Sequence, residues 1–310
     1  MKIVAVVAGG LGNQMQMTAA LRTIRDRLGY DIEVVSGGAP VAGLEMRELF
    51  GYPAYGPRWR PEKGEFDGAV ALGFGANRQS QERGWAGLKW LNDLSKQVVL
   101  TARSEVDVSM NACRDLGVAE ADLRWHGELS WPRRYWEPTE SFDVVIANNY
   151  YKGPKATPTH HWDVKGFPGI TTLAAEIQKR WPELSICCIG LDDRERVEGV
   201  VDRTGLPLMD TLGLIGRARF IVTTDTMAFH AAACLRIPAF ALWTATSAVK
   251  SACPKFHDKA VLIGRDDLAC RETCFAKAHY WTRCKRWECQ EIGIGHIMET
   301  IEGERGALWN

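Results

Sequence analysis

The residues best placed to do chemistry lie between 219 and 243. Phe220-Ile221-Val222 is an apolar run that reads as a buried strand. It ends at Thr223-Thr224-Asp225-Thr226, a cluster of helix-capping residues. A helix of small residues follows through Ala233, Ile237-Pro238 stops it, and Ala239–Trp243 reads as another strand. Polar residues thus sit at a helix N-terminus, where exposed N–H groups and the helix dipole favour anions, phosphates above all. Thr226 and His230 are four apart and share a helix face. The chemistry this suggests is a pyrophosphate held at a helix start beside a histidine. The plainer alternative makes Asp225 an N-cap and His230 a satisfied core histidine.

A second polar turn, Gly9-Gly10-Leu11-Gly12-Asn13-Gln14, stands between a strand at 2–8 and a helix running to about Leu28. With a strand at Asp31–Ser36 this makes a βαβ unit and predicts a parallel sheet. Residues 37–67 read as loop with a short helix near Glu45–Phe50. Further strands are expected at Ala69–Phe74 and Gln97–Thr101, and a helix at Asp107–Leu116. Residues 126–140, aromatic and proline-bearing, read as a linker. A second series then opens at Asp143–Asn149, with a helix at Thr171–Trp181, a strand at Ser185–Ile189, the turn Gly190–Asp193, and helices at Arg194–Arg203 and Leu212–Ala218. After Trp243 come a strand at Ala260–Ile263 and a last helix near Gly295–Gly303. Both polar loops fall at the carboxyl ends of strands, where ligands of such sheets bind.

A chain of 310 residues suggests two domains of about 150 residues each. A 46% hydrophobic and 25% charged composition is that of an ordinary globular protein, and zero formal charge gives no argument for nucleic acid or an anionic membrane. Met1–Val7 is too short for a secretory signal and reads as the first strand, and no run approaches the ~20 apolar residues of a membrane helix. The expectation is a cytoplasmic protein. Cys113, Cys187, Cys188, Cys234 and Cys253 are scattered, as buried thiols of a reducing compartment would be.

The motifs together resemble the heptosyltransferase-like glycosyltransferases of family 9, which have the GT-B plan of two Rossmann-like doubly wound domains facing a central cleft. The family's C-terminal signature is similar to Val222–Trp243, with Asp225, Thr226, His230, Ala231, Ala232 and Pro238 in place. Its upstream tryptophan and phenylalanine match Trp162 and Phe167, and its late cysteines resemble Cys270, Cys274-Phe275 and Cys284. Its Gly-x-Gly-Asp start corresponds to Gly10-Leu11-Gly12-Asn13. The likeness covers most of 141–300 and the first 30 or so residues, and is weak over 37–140.

The resemblance implies an acceptor-binding domain at 1–140, a nucleotide-sugar domain at 141–290, and a C-terminal helix at 291–310 that crosses back to the N-terminal domain. It implies a donor site of Lys155, His160, Lys165, Gly190, Thr211, Asp225, Thr226, Met227 and His230. In that site the N–H groups of Thr226 and Met227 hold the diphosphate, Gly190 lets the backbone approach the nucleotide and Thr211 reaches the nucleoside. Gly12, Asn13 and Gln14 become the acceptor site, and Asn13 and His161 the candidate catalytic residues. The implied reaction is inverting transfer of a hexosyl or heptosyl group from a nucleotide-diphosphate sugar, with no required cofactor and no catalytic metal.

Two departures stand out. The family's acidic residue after the glycines, its general base, is here Asn13, whose amide takes no proton at neutral pH. The same run also resembles the Gly-Gly-Leu-Gly-Asn-Gln start of some fucosyltransferases. The family's phosphate-binding lysine is here His160, with Lys155 and Lys165 as substitutes, and His160 and His161 as ordinary loop histidines are the alternative. Cys270, Cys274, Cys284 and Cys289 are spaced loosely for a four-cysteine zinc site, so a structural zinc stays open. Lys277–Trp287 interleaves basic and aromatic residues, as does Trp125–Trp136. That pattern suits a nucleic-acid strand, although a solvated surface with aromatic packing at the domain hinge is the better account of it. Two alternatives therefore accompany the main reading: an acceptor that is a modified DNA base or a protein, and a non-catalytic binder of sugar nucleotides or nucleic acid.

Overall fold

Parallel strands of branched and small residues organise the chain, whose structure is a computed structural model. It describes residues 1–7, 9–36, 49, 51–56, 59, 61–62, 64–73, 88–93, 104–129, 140–148, 165–246, 248–270 and 287–308. The chain divides into two units, 1–133 with 249–258, and 134–248 with 259–310.

In the first unit β1 (Lys2–Val7), β2 (Asp31–Ser36), β3 (Ala54–Tyr55) and β4 (Gly68–Leu72) form a parallel sheet in the order β3-β2-β1-β4. Ile3 to Val7 are at most 2% exposed, as expected of a strand covered on both faces. Helix α1 (Leu11–Leu28) packs on this sheet and against α2 (Glu105–Asp115). Gly29, in the left-handed conformation at φ 65°, ends α1. Helix α2 starts two residues before the expected position, because the Ser104 hydroxyl accepts the Asp107 N–H at 3.2 Å and caps it. Strand β4 ends at Leu72 because Gly73 turns to φ 78°.

The second unit contains β5 (Val144–Ala147), α3 (Ile170–Arg180), β6 (Ile186–Gly190), β7 (Val201–Thr204), α4 (Leu208–Ile215), β8 (Phe220–Thr224), α5 (Met227–Leu235) and β9 (Ala239–Trp243). After the short α6 (Ala248–Ser251), β10 (Ala260–Gly264) and α7 (Ile294–Leu308) complete it. All neighbours in the sheet are parallel, in the order β10-β9-β8-β5-β6-β7. Counted from β5 this is 3-2-1-4-5-6 read from the far end, the Rossmann order. Its core gathers Ile146, Ile177, Val222, Phe240, Leu242 and Ile297 among others.

Three expectations need correction. Residues 194–203 are not a helix: Asp193–Glu195 is a single 3-10 turn, Gly199 sits at φ 85°, and Val201–Thr204 forms the edge strand β7. Helix α4 spans 208–215 rather than 212–218. The C-terminal helix belongs to the second unit. Ile297 and Ile301, one turn apart and fully buried, join the core around Ile177, Arg180 pairs with Glu302, and Arg305 lies over Trp181 at 5.5 Å. The segment that returns to the first unit is 249–258. Among the described residues no helix is long and apolar enough to cross a membrane.

Candidate functional site

In the second sheet the chain leaves β5 toward β6 and β7, then returns on the other side of β5 as β8. The switch of direction lies between β5 and β8, and in open α/β sheets ligands bind beyond the strand ends there. Asn148 follows β5 and Asp225 follows β8. The two ends are tied together, since the Thr223 hydroxyl donates to the Ala147 carbonyl at 3.1 Å. Asn148 grips the Phe167 backbone twice, accepting its N–H at 2.7 Å and donating to its carbonyl at 3.0 Å. Phe167 itself is 2% exposed. Thr244, just past β9, donates to the Lys165 carbonyl at 2.7 Å, and Gln290 donates to that of Gly166 at 3.2 Å. Residues 165–167 are thereby fixed from three sides.

This anchoring delivers Lys165 to Asp225, with Nζ to Oδ2 at 3.1 Å. The Asp225 carboxylate is buried, and the Lys165 side chain keeps 19% exposure, so the ammonium is the outward member of the pair. Burial is the largest single influence and raises the Asp225 pKa, but the Lys165 charge and hydrogen bond, with His230 and the Thr246 hydroxyl, together outweigh it, and Asp225 stays below the ordinary carboxylate range. Behind them His230 is 4% exposed, its Nε2 4.0 Å from Asp225 Oδ1. Its ring stands edge-on to Phe229, which meets Trp243 in the same manner. Burial pushes His230 down to about 4, against the pull of Asp225, so the imidazole is neutral at pH 7. The Thr226 side chain does not cap α5; its hydroxyl meets that of Thr223 at 3.2 Å. The arrangement is a helix N-terminus with a cation held against it, a combination suited to a phosphate group.

A pH effect follows. His230 and Asp225 both have folded-state pKa values below their unfolded values, so protons bind the unfolded chain first as the pH falls. Stability from His230 is complete above about pH 6.5 and is lost toward pH 4. The melting temperature of His230→Gln, followed over the same range, should fall less steeply than that of the wild type. Parallel slopes would contradict this assignment.

The other expected donor residues are dispersed. At Gly190 the space for a side chain is filled by Glu195, whose Cβ would lie 2.6 Å from an added Cβ and whose carboxylate accepts the Leu191 N–H. The lack of a side chain there thus accommodates Glu195. Thr211 lies inside α4, its N–H donated to Pro207, and is 8% exposed. Met227 opens α5. Lys155, His160, His161 and Trp162 lie outside the described residues, as do Cys274, Cys284 and most of the 277–287 stretch. Cys270 is exposed and Cys289 half-buried, and among the described residues no group of three or more His, Cys, Asp or Glu could hold a metal ion. Trp125 has Lys255 over its ring at 4.2 Å and Arg114 at 5.8 Å, and both cations pair with Glu120. These contacts account for its basic surroundings by packing.

The first sheet repeats the logic. Its switch lies between β1 and β4, and the Gly9–Asn13 turn follows β1. Gly9 is at φ 94°, and a side chain there would come within 2.8 Å of the Asn13 Cβ. Gln14 is fully buried and donates to the Gly9 carbonyl at 3.1 Å. Asn13 accepts the Gly10 N–H at 3.1 Å and gives its own amide to Glu105. Gln16, 1% exposed, donates to the same Glu105 oxygen at 3.1 Å. Sequence reasoning missed Glu105. The available signal was a serine followed by an acidic residue at a helix start, which reads as capping alone.

With this geometry in view, comparison with solved structures gives the fold. A family 9 glycosyl transferase from Veillonella parvula superposes with a TM-score of 0.67 over 97% of this chain and 96% of its own, at 13% identity. The E. coli heptosyltransferase WaaC with ADP gives 0.62 over 98% and 99%, at 14% identity. The E. coli ADP-heptose LPS heptosyltransferase II gives 0.59 over 91% and 99%, at 18% identity. The chain therefore has the GT-B fold of these transferases. No protein-family model matches the sequence, and no curated protein matches it significantly.

Proposed function

We propose that this chain is a glycosyltransferase that moves a sugar from a nucleoside diphosphate sugar to an acceptor hydroxyl, with inversion and without a catalytic metal. The observation that carries the reading is the Lys165–Asp225 pair at the start of α5, at the switch point of a Rossmann-ordered sheet. The N–H groups of Thr226 and Met227 hold the diphosphate, and the Lys165 ammonium neutralises it as the leaving group departs. Asp225 holds that ammonium in place, and neutral His230 packs behind it without adding charge. The second unit carries the donor and the first the acceptor, with Gly12, Asn13 and Gln14 at the acceptor loop. Five of the seven described cysteines, Cys113, Cys187, Cys188, Cys234 and Cys253, are buried free thiols, which suits a reducing cytoplasm.

The test is a thermal-shift screen of ADP, GDP, UDP, CDP and dTDP and their sugars. ADP sugars come first, because a solved relative of this fold is complexed with ADP. A ligand at 100 times its dissociation constant stabilises by about 2.7 kcal/mol, a shift easily read. One nucleoside diphosphate should stabilise the wild type and, at the same concentration, stabilise Asp225→Ala much less. Folded protein indifferent to all of them would overturn the reading.

A further inference from the structure

Inverting transfer needs a group to take the acceptor proton, and Asn13 cannot serve. A carboxylate from another helix nevertheless meets the Asn13 side chain. We propose that Glu105, from the first turn of α2, is the general base, presented by Asn13. The inference rests on the transferase reading above.

Glu105 is 6% exposed as a residue, and its carboxylate has two differently used oxygens. Oε2 accepts the Asn13 amide and that of Gln16. Oε1 faces Lys250 Nζ at 3.5 Å, and the Lys250 side chain is 45% exposed, so this oxygen lies toward the wetter side. Helix α2 is separated from the Asn13 loop by 92 residues of chain, and the cap at Ser104 sets where it begins.

A purely structural clamp between α1 and α2 is the competing explanation. Burying a carboxylate and a glutamine costs more than burying apolar residues of the same size, and such replacements are often neutral or stabilising. Asn13 also lies in the first turn of α1, directly after the turn that follows β1 at the switch point of its sheet, where ligands of such sheets bind. It is an amide whose oxygen is committed to the Gly10 N–H and whose nitrogen aims Glu105. An amide can hold a carboxylate there, whereas a second acid would repel it.

In the step, the acceptor O–H proton passes to a Glu105 oxygen. The acceptor oxygen's electron pair forms the bond to the anomeric carbon, and the bond from that carbon to the diphosphate breaks. The nucleoside diphosphate leaves with that electron pair. Among the described residues Lys250 faces Glu105 directly, the Asp107 carboxylate follows two residues on along the same helix, and the Cys253 thiol lies beside Ser104. Burial pushes that thiol upward, so it stays neutral at pH 7.

The experiment follows release of nucleoside diphosphate, with water as acceptor, from the nucleotide sugar that stabilises the protein most in the screen above. Glu105→Gln keeps the shape and the acceptor atom for Asn13. It should lower turnover by about 10²- to 10⁴-fold, the usual share of a general base, and abolish the acid limb of the rate–pH profile. The thermal shift given by the nucleotide should be unchanged. Lys250→Met removes the neighbouring cation and should move the acid limb to higher pH, which a structural clamp would not do. Wild-type turnover in Glu105→Gln overturns the proposal. So does an unmoved limb in Lys250→Met, which decides the matter alone if Glu105→Gln does not fold. A wild type that binds no nucleotide overturns the transferase reading instead, and this inference with it.

Discussion

Lys165→Met is expected to destabilise the protein by about 3 kcal/mol, the loss typical when one member of a buried ion pair is removed. Asp225 has its carboxylate buried and is kept ionised chiefly by the Lys165 ammonium 3.1 Å away. Without that cation the carboxyl must take a proton or remain as an uncompensated buried charge. The sign with pH then reverses. The wild-type aspartate contributes stability above the ordinary carboxylate range, whereas the variant is weakest there and recovers as the pH falls and the acid protonates.

The double variant Lys165→Met/Asp225→Asn removes both charges and should regain most of the lost stability. It should not regain nucleotide affinity. A charge-assisted contact to phosphate is worth about 1.5–3 kcal/mol, so either variant should bind the nucleoside diphosphate about 10- to 100-fold more weakly in titration calorimetry. Wild-type affinity in Lys165→Met would remove the lysine from the phosphate site, even with the stability loss confirmed.

Asn13→Asp should be the most damaging single-atom change in the first unit. It restores the acid that the family resemblance implies at that place, yet puts a second carboxylate against Glu105 where the Asn13 amide now donates. Two carboxylates in contact cannot both ionise at ordinary pH, and one is raised. A carboxyl raised by about two pH units is worth about 3 kcal/mol of lost stability at neutral pH, with Lys250 offsetting part of it. The folded variant binds the extra proton, so its stability falls as pH rises from about 4 through the raised value and is level above it. Chemical denaturation at pH 5 and pH 8 separates the outcomes. A variant as stable as the wild type at pH 8 would show that Asn13 and Glu105 are not in contact in solution.

The legible parts of this protein share one trait, that neighbours in sequence carry the signal. Phe220–Trp243 declared strand, polar turn, helix and strand because apolar runs, capping residues and Pro238 lie in direct succession. The Gly9–Gln14 turn was readable for the same reason. Residues 194–203 misled, because the charged helix formers at their start outweigh a glycine whose effect depends on the edge position that the chain takes up next. The resemblance to similar enzymes puts the last helix on the first unit. The stripe of Ile297 and Ile301 needs an apolar partner, and only packing revealed that the partner lies around Ile177.

The sequence by itself determined the alternation of strands and helices and the two polar loops at strand ends. Tertiary structure decided which charges meet. Lys165 is 60 residues from Asp225, and Glu105 is 92 from Asn13. Local periodicity specifies which face of each element is buried, but contacts across such distances depend on the order of strands in the sheet. That order is set by the packing of the whole unit, so neither the cation beside Asp225 nor the carboxylate beside Asn13 could be read along the chain.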